Sequence, residues 1–364
     1  MTRREVYVRW LSGDALKHAT RRSTAPALAI LGLEVFGYLA CSALALAPLP
    51  YAVNLLGGIL AGHAVAILFT VGHDACHQAF TPSKALNRWI GRLVFVPSLH
   101  AVSLWVLGHN KIHHGSTNLR GRDYVWEPMS PSDYAAASTL RRWWYRLCRG
   151  RLGSLPYYLV DMWWRKNFLP IAPEARAEWR SHAFDSAFVV LAGALHLWAI
   201  VALAAVWTPD RSPWLAIVAA WLVPFLVWNW FMGWVIYVHH THPLVPWFAH
   251  EDEWGYLASQ VLGTVHVSLP RPWAWMDNNI MEHNAHHALP VIPLYRLPLA
   301  QGRIRAAFPQ IQHLFLTPLV FCRLVDACKL YDFDARRWTA FDGTPTGPVL
   351  LVADETAEPA AAIS

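Results

Sequence analysis

Four long apolar runs, at about residues 25–45, 51–71, 183–207 and 214–238, leave this 364-residue chain few folds to choose from. Each has about the twenty apolar residues that a helix needs to cross the hydrocarbon core of a bilayer. The composition agrees, with 55% of residues hydrophobic, 21 tryptophans and only 15% charged, where an average soluble domain carries about a quarter charged residues. The first two runs are joined by Pro48, Leu49 and Pro50, and the second two by residues 208–213. Connections this short make turns, so the expected fold is an all-α integral membrane protein with four transmembrane helices in two hairpins.

The cations set the orientation. Arg3, Arg4, Arg9, Lys17, Arg21 and Arg22 precede the first run, while Arg141, Arg142, Arg146, Arg149, Arg151, Arg165 and Lys166 lie between the hairpins. By the positive-inside rule both termini and the middle segment are expected in the cytoplasm, in a bacterial inner membrane. No signal peptide is expected, because the first apolar run is long enough to stay as an anchor. Residues 89–106 are also apolar, but crossing there would put flanking histidine clusters on opposite sides. An interfacial or dipping helix broken at Pro97 is expected instead.

Residues 1–24 read as a cytoplasmic N-terminal segment, 25–342 as one domain, and 343–364 as a tail whose Ala- and Glu-rich end should be disordered. The net charge of +6 suits anionic headgroups or an acidic partner, and no nucleic-acid motif is present. Five scattered cysteines, at 41, 76, 148, 322 and 328, read as reduced structural thiols.

Nineteen histidines are unevenly spread. His73 and His77 fall in GHDACH, His109, His113 and His114 in GHNKIHH, and His283, His286 and His287 in EHNAHH. Imidazoles three or four residues apart share a helix face, where their nitrogens can converge on a metal. All three clusters are placed on the cytoplasmic side, so a helical cap carrying a histidine-rich dimetal site is expected there. Eight histidines exceed the four ligands of a closed zinc site, which points to two ions. The Glu and Glu-x-x-His pattern of carboxylate di-iron bundles is missing.

A fourth group, HHTH, closes the last apolar run with His239, His240 and His242; His240 is the candidate ninth ligand, with His242 next. A ligating imidazole must be neutral, with its other nitrogen held by an acceptor. Asp74 is the leading candidate acceptor, ahead of Asp123, Asp252, Asp277 and Glu282, while Asn278 and Asn279 are placed to orient ligands or reach a metal through water. The isolated histidines at 18, 63, 100, 182, 196, 250, 266 and 313 read as packing or surface residues.

The series HDACH, HNKIHHGSTN, HHTHP and NNIMEHNAHHALPVIPLYRLP resembles the membrane fatty acid desaturase family, in particular its bacterial and plastid acyl-lipid branch, over about residues 51–298. The family's three boxes fall on His73 and His77, on His109, His113 and His114, and on His283, His286 and His287. Its extra histidine after the fourth span falls on His240, and Asp123, Trp126, Pro128, Asn279 and Ile280 match flanking positions. The resemblance implies a fatty acid desaturase domain over 25–342. It also implies two non-haem iron ions and dioxygen as co-substrate, used to place a cis double bond in an acyl-lipid or acyl-thioester chain. Two electrons per turnover would come from a separate ferredoxin or small haem carrier, since no haem, iron–sulfur or dinucleotide motif is present.

The nearest alternative is a fatty acid hydroxylase or carotenoid ketolase built on the same metal centre. The flanks STN and LPVIPLYRL are similar to the acyl desaturases rather than to the ketolase. A metal transporter would place its ionisable ligands near the bilayer midplane. A zinc membrane protease would show His-Glu-x-x-His, where this chain has Asp74 in HDACH.

Overall fold

The computed structural model describes residues 18–350. The basic residues of 1–17 and the tail end 351–364 lie outside the described residues. In chain order the main helices are α1 (Thr24–Leu46), α2 (Tyr51–Cys76), α3 (Lys84–Val94), α4 (Thr139–Cys148), α5 (Trp179–Trp207), α6 (Pro213–His240), α7 (His283–Ala288) and α8 (Leu297–Ala307). Strands β1 (Val265–Ser268) and β2 (Gln312–Phe315) pair in parallel, and β3 (Leu330–Asp332) and β4 (Arg337–Thr339) pair antiparallel. Helices α1, α2, α5 and α6 are each long and apolar enough to cross a membrane, so the protein is a mostly helical integral membrane protein.

The described chain divides into two compact units. The spanning unit comprises Arg22–Gly108 and Leu155–Gly233; the histidine unit comprises 18–21, His109–Ser154 and 234–350.

Within the spanning unit, few side chains of α1 and α5 are buried, and Leu33, Phe36, Leu191 and Leu195 are among those exposed, while α2 is mostly buried. Apolar surface of that extent is stable in hydrocarbon rather than in water. Proline ends α1: Pro48 and Pro50 follow its C-cap Ala47, and α2 starts at Tyr51. The carbonyls orphaned there are met by the buried Asn54, whose Nδ2 donates to Leu44 O at 3.0 Å and Ala47 O at 2.9 Å. Arg211, from the α5–α6 turn, donates to Asn54 Oδ1 at 2.8 Å and to Leu49 O at 2.6 Å, so one network ties both short turns together.

The helices approach closely through glycine. A Cβ on Gly58 would lie 2.1 Å from Ala219 O, and one on Gly62 would lie 2.6 Å from Val227 Cβ. Helices α2 and α6 therefore meet backbone to backbone at Gly58 and backbone to side chain at Gly62, as small residues allow in membrane packing. Below that contact the core is aromatic: Phe69 stacks on Phe95 at 4.2 Å and meets Trp228 at 4.3 Å and Trp105 at 4.7 Å.

Helix α3 ends at Val94, three residues before Pro97, with Trp89 and Leu93 exposed and Ile90 and Val94 buried. It is amphipathic, and Arg92 Nε binds the buried Asp185 of α5 at 2.8 Å. Asp185 also accepts from Ser103 N at 3.0 Å. His100 is a packing histidine: its Nδ1–H donates to Ser98 O at 2.8 Å, leaving Nε2 to accept from Tyr158 at 3.0 Å. Burial pushes its pKa down to about 3.

Substituting Gly58→Ala is expected to destabilise the protein by about 1–3 kcal/mol, because the backbone of α6 must move. Gly32→Ala, where nothing lies within 4 Å, is expected to leave it unchanged. Thermal unfolding in detergent distinguishes them, and equal melting temperatures would refute the close α2–α6 contact.

Candidate metal centre

The second histidine cluster sits on an unusual backbone. Residues Val106–His113 form a π-helical stretch, in which hydrogen bonds run from i to i+5. Five residues along an α-helix would leave two side chains about 140° apart. Here His109 and His114 come together instead, with their Nε2 atoms 3.2 Å apart. His113, one helical turn from His109, is buried to 2% exposure.

The third cluster lies on α7, where His283, His286 and His287 share one face at spacings of three and four, all buried. Side chains anchor this six-residue helix. Asn284 Nδ2 donates to Val261 O at 2.8 Å and Thr264 O at 2.9 Å, and Gln301 Oε1 of α8 accepts from Ala285 N at 2.8 Å. The end of α6 supplies His239 and His240, both fully buried.

In the histidine unit these elements converge. His113, His240 and His287 each offer a ring nitrogen within 4.8 Å of the others, a group able to hold a metal ion. His283 Nε2 lies 2.9 Å from His240 Nε2, and His114 Nε2 lies 3.0 Å from His286 Nε2. Two ligands at right angles on one ion, each with a metal–imidazole bond of about 2.1 Å, would sit about 3 Å apart. The observed nitrogen separations suit that arrangement.

Two partners decide which nitrogen faces inward. Asp123 is wholly buried and accepts His113 Nδ1–H at 3.0 Å, and its other bonds come from Asn118 N at 2.9 Å and Val125 N at 3.0 Å. Gln260 donates from Nε2 to His114 O at 2.8 Å, which turns its Oε1 toward His287 Nδ1 at 2.9 Å. His287 must therefore carry its proton on Nδ1, and its Nε2 is a buried lone pair without a hydrogen-bond partner among the described residues. Burial, reinforced by neighbouring imidazoles, holds His283 and His287 well below the usual histidine pKa. Neutral, oriented and inward-facing imidazoles are what a metal ligand set requires.

The remaining sequence candidates are placed as follows. His73 and His77 occupy the last turn of α2 and the residue after it, in the spanning unit, with ring centroids 4.9 Å apart. Asp74 Oδ1 lies 3.7 Å from His73 Nδ1, beyond hydrogen-bond length. His239 stacks flat on His283 at 4.0 Å, so the adjacent pair at the end of α6 splits, with only His240 in the metal-binding group. His242 Nδ1 accepts from Leu244 N at 3.1 Å, and burial lowers its pKa to about 4. Asn279 adopts a left-handed φ of 58° and donates to Leu294 O at 3.3 Å. Glu282 binds His266 at 2.8 Å, and Asp252 is exposed.

Gln260 escaped the sequence reading. Its only signal is a polar amide within the apolar stretch LASQVLG, since a buried amide needs partners. It lies on a further π-helical segment, Leu257–Val261.

A helical membrane protein with buried, histidine-only groups able to bind metal is a narrow class. A family model for fatty acid desaturases matches residues 49–318, and the chain belongs to that family. It is 29% identical over 303 residues to the sn-1 oleoyl-lipid 12-desaturase of Picosynechococcus sp., covering 82% of this chain and 83% of that one. The enzyme of the same name from Anabaena variabilis is 27% identical over 334 residues, covering 90% and 89%. The chloroplastic omega-6 fatty acid desaturase of Brassica napus is 28% identical over 278 residues, covering 74% of this chain and 58% of its own length. The protein is therefore an oxidoreductase, a membrane fatty acid desaturase.

Replacing Asp123 by Asn should lower iron affinity about 10- to 100-fold, as removal of such an orienting carboxylate does, while the protein still folds. Iron content after dialysis against a graded chelator series measures this. Wild-type retention would show that Asp123 does not act through His113.

Proposed function

We propose that this chain is an acyl-lipid desaturase that inserts a cis double bond at the 12 position of an oleoyl chain, using dioxygen and two electrons. The substrate and position rest on the names of the cyanobacterial relatives. The observation that carries the chemistry is the buried, carboxylate-free group of His113, His240 and His287, in which the His287 Nε2 has no hydrogen-bond partner among the described residues. We take His73, His77, His109, His113, His114, His240, His283, His286 and His287 as the ligands of two iron ions.

Bound iron supplies the oxidising power that an unactivated C–H bond demands and that side chains lack. The protein's own part is to hold and to exclude. Asp123 keeps the His113 proton on Nδ1 and Gln260 keeps the His287 proton on Nδ1, so both Nε2 lone pairs stay available. Burial keeps His283 and His287 neutral, and near-zero exposure of His286 and His287 keeps bulk water from the cage. The electrons come from a separate ferredoxin or small haem carrier. The metal centre and both termini face the cytoplasm of a bacterial inner membrane, the side marked by the arginines between the hairpins.

Expression in a host whose lipids carry oleoyl chains should yield a doubly unsaturated chain two hydrogens lighter, seen by mass spectrometry of its lipids. A product that gains oxygen without losing hydrogen would favour the hydroxylase reading. Separately, His113→Ala and His286→Ala should each insert normally in the membrane yet lose iron and activity. Two irons per chain in either variant would refute the ligand assignment.

A further inference from the structure

Helix α4 presents the wrong face to water. Its core side is formed by Tyr145 and Cys148, with Tyr145 packed among Tyr134, Leu330 and Phe341. The other side carries Leu140, Trp143, Trp144 and Leu147, a stripe at i, i+3, i+4 and i+7 that normally seats a helix on a core. Here three of its four members point outward, while Trp144 is half-buried. Leu140 is 74% exposed, Trp143 59% and Leu147 38%, and Leu152 just beyond the helix is 79% exposed.

Cations accompany the stripe. Arg141 is exposed and Arg142 half-buried, and neither has an ion-pair partner among the described residues. The other arginines nearby are engaged: Arg146 with the Tyr134 hydroxyl and the Phe341 ring, and Arg151 with Asp326 at 2.6 Å. Two long guanidinium side chains without ion-pair partners among the described residues, on the same helix as a Trp and Leu stripe, match one environment above others, the interface of a bilayer with anionic headgroups, which such side chains reach by extending along the helix surface. There the apolar side chains enter the acyl boundary and the cations meet phosphates. An acidic electron carrier would satisfy the arginines but leave the large apolar side chains without hydrocarbon.

We propose that α4 is an interfacial helix that lies in the membrane surface and selectively recruits anionic glycerophospholipid through Arg141 and Arg142. This depends on the protein residing in a membrane and not on the reaction it catalyses, so it stands or falls apart from the desaturase reading.

The test uses the full chain in vesicles of phosphatidylcholine with phosphatidylglycerol, one or the other carrying a photoactivatable diazirine on its acyl chain. Labelled peptides are read by mass spectrometry, with the exposed faces of α1 and α5 as internal controls. The phosphatidylglycerol probe should label residues 140–147 in excess over the phosphatidylcholine probe. R141Q and R142Q should each cut that excess about fivefold, the weight of one cation at an anionic surface. The triple variant L140E/W143E/L147E should lose the label on this segment while α1 and α5 remain labelled, which shows that the protein still inserts. A wild-type segment that stays unlabelled while the controls react would overturn the proposal. Equal labelling by both probes would overturn the selectivity for anionic lipid.

Discussion

The structure depends on hydrogen bonds to the outer nitrogens of buried imidazoles. A neutral histidine has one donor and one acceptor nitrogen, and the group bonded to one decides what the other can do. Asp123 and Gln260 settle that choice for His113 and His287, and each is itself fixed. Asp123 is held by two backbone N–H groups, and Gln260 by its bond to His114 O. Without these partners the same rings could bury either nitrogen inward as a donor, and a donor cannot bind a cation.

A related economy governs the backbone around the cage. The segments that connect its helices are irregular, so their polar groups must be met by side chains. Asn118 shows this, with a left-handed φ of 60° and Nδ2 donating to Pro246 O at 3.1 Å and Gly263 O at 2.8 Å. Its own carbonyl accepts from Phe248 N at 2.9 Å. One residue thus joins the segment after the second cluster to two distant loops. Asn284 does the same for α7, and Gln301 secures it from α8. Short buried amides replace the ladders that a longer helix or sheet would have provided.

Much of this was legible in the sequence, for reasons that differ by element. The spanning helices follow from apolar length, and α1, α2, α5 and α6 run within a few residues of the four runs. The spacing of His283, His286 and His287 works because α7 is a regular α-helix. His109 and His114 are different: α-helical geometry separates them, and only the π-helical stretch, which leaves no mark in the sequence, brings their nitrogens to 3.2 Å. Partner identity was harder still. Asp74 is next to His73 in sequence, but Asp123, ten residues beyond His113, makes the bond because the chain folds back at Asn118. Gln260 orients the His287 ring from 27 residues away and is itself held by the backbone carbonyl of His114, 146 residues away, and contact at that separation is a property of the tertiary fold.

The distribution of charge follows from the same constraint. Carboxylates would bring anions into the cage and raise the cost of burying it whenever the metal is absent. Imidazoles are neutral when unprotonated, so the cage can be built from apolar-like rings whose burial further suppresses protonation, as at His283 and His287. The buried Asp123 stands behind His113 rather than beside the other rings and accepts from three donors, His113 Nδ1, Asn118 N and Val125 N. The His287 Nε2 lone pair, aimed by Gln260 and without a hydrogen-bond partner among the described residues, is what such a cage offers a cation.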